Sequence, residues 1–132
     1  MKPEPVWVEP ATPSVNVAAL MVEITERLRH LLATGEDSAI DLGSLPLTPG
    51  DRDELAERLG AGEVSIRLVA EGESAFVETV FPGVWRVTHR NPAGKISLET
   101  IEIAYVPALV GAHREDVAAG LEQLEQDFSI RM

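Results

Sequence analysis

The chain has 132 residues, with 22 acidic and 11 basic side chains for a formal net charge of -11, and no cysteine. That length suits a single hydrophobic core, and the charge opposes nucleic acid and anionic membrane surfaces, with Lys2 and Lys95 the sole lysines. Without thiols there can be no disulfide, cysteine zinc site, thiolate-bound iron-sulfur cluster or redox relay.

Pro3, Pro5, Pro10 and Pro13 predict an extended arm over residues 1-13, with Val6-Trp7-Val8 as its apolar part. Such an arm is expected to add to a sheet edge, of its own molecule or, preferentially, of a neighbour in a homodimer. The start lacks the apolar region of a signal peptide, and no run of about 18 apolar residues occurs, so a cytoplasmic protein without membrane insertion is expected.

From Ser14, a suitable N-cap, Val17, Leu20, Met21, Ile24, Leu28, Leu31 and Leu32 recur at helical spacing as far as Gly35, predicting a helix over 15-33. Ala39 to Leu42 reads as a short strand. Thr48-Pro49-Gly-Asp51 supplies an N-cap, a proline and a first-turn carboxylate for a second helix that stops at Gly60. Val64, Ile66 and Leu68 alternate with Ser65 and Arg67, and Glu71-Gly72 turns the chain into a strand over Ala75 to Val80. Pro82-Gly83 precedes a strand from Val84 to Arg90, and Asn91-Pro-Ala-Gly94 leads into another from Lys95 to Val106. Ile96 and Leu98 lie in one phase of that strand and Ile101, Ile103 and Tyr105 in the other, which predicts a bulge near Glu99 or Thr100. Val117, Leu121, Leu124 and Phe128 mark a last helix over 114-128.

The order α-β-α-β-β-β-β-α predicts an α+β fold of two layers, resembling an alpha-beta plait: a mainly antiparallel sheet with all three helices on one face, forming one domain over 14-132. If Val64, Ile66 and Leu68 face the helices, then Ser65, Arg67 and Val69 face away, joined by Glu78 and Arg86 or their neighbours. Trp85, on a middle strand, is expected to be a core plug, the alternative being the anchor of a binding patch.

Catalytic constellations do not emerge from the residues. Gly60-Ala-Gly62 follows a helix and precedes a strand, the reverse of the order that aims a helix N-terminus at phosphate, so it reads as a helix stop and a hinge. His30, His89 and His113 lack ligand spacing, and Ser65, Ser74 and Ser97 lack a nucleophile elbow. No cofactor and no metal are expected.

Leu59-Gly-Ala-Gly-Glu-Val-Ser65 and Glu78-Thr-Val-Phe-Pro-Gly-Val-Trp-Arg-Val87, with Asp41-Leu-Gly-Ser-Leu-Pro-Leu-Thr-Pro49, Ile101-Glu-Ile103 and Val106-Pro107, closely resemble the C-terminal conserved region of the HupH/HyaF hydrogenase expression proteins. The likeness runs from roughly Leu20 to Asp127, in a chain shorter than the typical member. It implies a non-catalytic, chaperone-like factor for nickel-iron hydrogenase maturation. Its partners would be a hydrogenase subunit precursor, the small subunit among them, or other maturation proteins. The matching signature residues are Gly62, Glu63, Val64, Glu78, Thr79, Gly83, Val84 and Trp85, and the candidates for protein contact are Glu63, Arg67, Glu78, Thr79, Gly83, Trp85 and Arg86. The alternatives are a small-molecule-binding or enzymatic domain with a pocket between helices and sheet near Trp85 and His89, or a structural homodimer.

Overall fold

A computed structural model describes residues 13-129, so the proline-rich arm, Val6-Trp7-Val8 included, lies outside the described residues apart from Pro13. Helix α1 spans Val15–Thr34. The Ser14 hydroxyl accepts the Val17 N-H at 3.1 Å, and Gly35, in the left-handed region at φ 76°, donates its own N-H to the Leu31 carbonyl. These two groups satisfy backbone atoms that a helix leaves unpaired at its ends. Strand β1, Ser38–Asp41, runs into a short 3-10 turn at Leu42–Ser44. Helix α2, Pro49–Leu59, begins with a reciprocal cap: the Thr48 hydroxyl accepts the Asp51 N-H and the Asp51 carboxylate accepts the Thr48 N-H.

The remaining strands are β2 Ser65–Ala70, β3 Gly72–Glu78, β4 Val84–Arg90 and β5 Ile96–Ile103. They form an antiparallel meander, and β1 pairs with the far edge of β5, giving the order β1-β5-β4-β3-β2. The element order and the α+β class are those the sequence predicts. The register places Phe76 opposite both Ile66 and Val87, and Val84 opposite Ile103. Because neighbouring residues on a strand point to opposite faces, these pairs divide the core in two.

On one face, Leu20, Ile24, Leu31, Leu55 and Leu59 of α1 and α2 pack on Ile40, Val84, Ile101 and Ile103. On the other, Phe76, Trp85 and Val87 form a second core with Ile66, Leu68 and Val110. The connector after β5 supplies Val110, together with the buried Pro107. Full burial of one such side chain contributes about 1.5–3 kcal/mol, so both faces of the sheet carry stabilising weight.

The second core corrects two expectations. Ile66 and Leu68 belong to the face away from the helices, and Ser65, Arg67 and Val69 to the helix side, the inverse of the expected phase. Glu78 pairs with Trp85, whereas Arg86 pairs with Val77, so Glu78 and Arg86 lie on opposite faces. A third correction concerns β5. Its irregularity sits where Arg90 pairs with Ile96 and His89 with Leu98, which leaves Ser97 as the extra residue. Pairing is continuous through Glu99 and Thr100, so Leu98 and Ile101 do face opposite ways, and the strand ends at Ile103 before Tyr105.

Helix α3, Arg114–Phe128, forms at the expected positions but has no buried residue. Val117, Leu121, Leu124 and Phe128 are 57%, 59%, 54% and 67% exposed, so among the described residues only α1 and α2 pack their apolar stripes on the sheet. The difference is one of docking. Amphipathic spacing demands a partner without saying which.

Candidate functional site

The signature residues converge on the turn between β3 and β4. The Thr79 N-H donates to the Val84 carbonyl, and the Val84 N-H to that of Phe81. Thr79, 2% exposed, closes the turn with its side chain: the hydroxyl donates to the Phe81 carbonyl at 3.2 Å and accepts the Phe81 N-H at 3.1 Å. Gly83 takes φ 90°, where a side chain would strain the backbone, and its carbonyl accepts the Ala104 N-H. Gly62 is held against the same region, its N-H bonded to the Glu78 carbonyl at 2.7 Å. A Cβ on it would stand 2.5 Å from the Thr79 carbonyl oxygen, so this glycine is a close approach, not the expected hinge.

Beside this turn lies an open depression of about 360 Å³, lined by Leu28, Leu31, Leu32, Glu78, Pro82, Gly83 and Tyr105. Its walls are apolar except for the half-buried Glu78, whose Oε2 lies 3.5 Å from the Gly83 nitrogen. Leu32 and Tyr105 stand 76% and 62% exposed at its rim, and Val80, Phe81 and Val106 add exposed apolar surface nearby. An apolar hollow with one carboxylate and a bulky apolar rim suits an apolar anchor that carries a cation or a hydrogen-bond donor.

Other candidates lie elsewhere. Glu63 is exposed in the segment between α2 and β2. Arg67 makes a bidentate pair with Glu73 at 2.6 and 3.0 Å across the β2-β3 hairpin; that hydrogen-bonded partner raises the Arg67 pKa and lowers that of Glu73. The pair is exposed and screened. Arg86 stands exposed on the helix side of the sheet. Trp85 is 3% exposed, and its Nε1-H donates to the Ala104 carbonyl at 3.0 Å, which makes it a core residue of the second face. The structure thus groups Glu78, Thr79 and Gly83 and separates them from Arg67 and Arg86. Sequence reasoning missed Leu28, Leu32 and Tyr105 as lining residues; Leu32 carried a signal, since it falls at the margin of the apolar stripe of α1.

Trp85 and His89 occupy the face away from the helices, so the expected pocket between helices and sheet does not include them. His89 Nδ1 lies 2.6 Å from the Ser74 hydroxyl, and its ring meets Phe76 edge-on at 6.0 Å. This resembles a nucleophile and base, but Ser74 sits on a strand paired on both sides, where ladder bonds engage the backbone donors an oxyanion would need. Among the described residues no group of three or more His, Asp or Glu side chains is disposed to hold a metal ion, and no helix is long and apolar enough to cross a membrane.

Residues 14–130 match the family model described as HupH hydrogenase expression protein, C-terminal conserved region. The chain belongs to this family. It is 32% identical over 114 residues to the hydrogenase expression/formation protein HoxQ of Azotobacter vinelandii, covering 85% of this chain and 40% of that protein. It is 31% identical over 112 residues to the hydrogenase-1 operon protein HyaF of Escherichia coli K12, covering 39% of it. The chain therefore spans about two fifths of the length of these curated relatives. The solved structure of the hydrogenase expression protein HupH from Thiobacillus denitrificans is 49% identical, with a TM-score of 0.83, covering 89% of this chain and 98% of that one. The family likeness thus extends to a structure that this fold covers almost end to end.

Proposed function

We propose that this chain acts in hydrogenase maturation as a non-catalytic, chaperone-like binding module, and that it holds a hydrogenase subunit precursor at the depression beside the β3-β4 turn. The precursor of the small subunit or another maturation protein is the partner class. One observation carries the reading: Glu78, Thr79 and Gly83, from the strings that resemble the family, build the turn and part of the lining of an apolar hollow whose rim is exposed. Folding requirements explain Thr79 and Gly83 but leave the exposure of Leu32 and Tyr105 unaccounted for, and a partner surface accounts for it. The family names support the setting, since the relatives are called hydrogenase expression or formation proteins.

The test is genetic complementation. In a host whose hydrogenase activity depends on this protein, the natural chain restores activity, and Leu32→Asp, which places a charge on the rim of the hollow without touching the core, lowers it at least about tenfold. Glu78→Gln separates the role of the charge from that of the shape. Full activity from a stably folded Leu32→Asp protein contradicts the proposed site.

A further inference from the structure

Among the described residues, two further surfaces are left without a partner. The first is α3, whose apolar stripe is exposed along its whole length. A helix of 15 residues with a central Gly120 and no side-chain cap is marginal on its own, so its stripe needs cover. The second is the helix side of the sheet at β3 and β4, bordered by the end of α2. Ala56, Gly60, Ala61, Ala75, Val77, Arg86 and Thr88 line a groove of about 390 Å³ there, and Val69 on the same face is 70% exposed.

We infer that these surfaces meet across a pair of chains: α3 of one copy lies in the groove beside α2 of a second copy, and the second returns the contact. Each groove thereby gains the third helix that its sheet lacks. The small residues Ala56 and Gly60, four apart at the end of α2, allow close approach of a neighbouring helix.

Charge selects this occupant over other pairings. Glu115, Asp116, Glu122, Glu125 and Asp127 stand against the single Arg114 on α3, and helical spacing sets Asp116 and Asp127 along one side of the stripe and Glu125 along the other. Arg86 lines the groove, and Arg67 and Arg90 share its sheet face with Glu73 and Glu99, two carboxylates already paired with Arg67 and Arg52. Arg86 makes no side-chain hydrogen bond or ion pair among the described residues. Pairing α3 with a second α3 would oppose acid to acid. The opposite sheet face carries Asp41, Glu78 and Glu102, and Val110 already covers its centre.

The full chain is expected to be a dimer by light scattering at micromolar concentration. Leu121→Asp with Leu124→Asp should weaken it about a hundredfold and Arg86→Glu about tenfold, with the β-sheet signal kept in each. The natural absence of cysteine permits a direct placement. Leu124→Cys protein mixed with Val77→Cys protein and joined by a short bismaleimide should give a covalent heterodimer, and Leu98→Cys in place of Val77→Cys should not. A monomer in scattering overturns the inference, as does linkage mainly between two Leu124→Cys chains or to Leu98→Cys.

Discussion

At the residue scale, Trp85 shows how one hydrogen bond and one face assignment decide a role. It fills the second core and donates to the Ala104 carbonyl, which anchors the start of the connector after β5. Trp85→Ala should destabilise by about 3–5 kcal/mol, and Trp85→Phe by less, mainly through the lost hydrogen bond; chemical denaturation measures both. Gly62→Ala would drive a methyl into the Thr79 carbonyl and should cost about 1–3 kcal/mol in the same assay. Asp51 supplies a pH signature. The Thr48 N-H, then the side chains of Ser14 and Asn16, hold its pKa down to about 2 from an ordinary 3.8. A lowered folded pKa stabilises fully above the ordinary value and loses that contribution as pH falls toward 2. Asp51→Asn should therefore be less stable than the natural chain at neutral pH, with the gap closing below about pH 4. The capping role of Asp51 was legible, since Thr48-Pro-Gly-Asp51 names its own geometry. The face of Trp85 was not, because Val84 and Trp85 are both apolar and alternation alone cannot say which looks toward the helices.

At the element scale, the parts read correctly were those with local chemistry. Ser14 and Thr48 start their helices through side-chain hydroxyls, and Gly35 and Gly60 stop theirs through backbone N-H groups, all at positions that short sequence motifs encode. Phase and docking were the parts misread. The strand of Ile66 and Leu68 has an apolar row because the connector after β5 builds a second core there, a contact between segments about forty residues apart in the chain. The bulge at Ser97 escaped because apolar residues on both faces of β5 are each buried in their own environment or left at an edge, so no single phase existed to be restored. Helix α3 has helical spacing and exposed sides, and spacing carries no address. Gly120 has open space around it, so Gly120→Ala should stabilise this helix by about 0.5–1 kcal/mol, seen as slower amide hydrogen exchange across residues 114–128.

At the scale of the whole molecule, an antiparallel meander puts the β3-β4 turn at one end of the sheet, where the C-terminal half of α1 and Tyr105 complete a hollow with Glu78 inside it. Sequence could supply the turn from Pro82-Gly83, but the hollow depends on how α1 crosses the sheet, which no local pattern records. The candidate site was therefore half legible: Glu78, Thr79 and Gly83 through family resemblance, the apolar rim only through the fold. Under the proposed function, the net charge of -11 favours a partner with a basic surface, which would place a cation at the Glu78 carboxylate. The most direct measurement is capture of a newly made hydrogenase small-subunit precursor by the immobilised protein, comparing the natural chain with a Leu32→Asp, Tyr105→Asp double variant. Both positions are exposed, so the variant should keep its melting temperature while its capture falls at least about tenfold. Equal capture by a variant shown to be folded would contradict the placement of the binding site at this hollow.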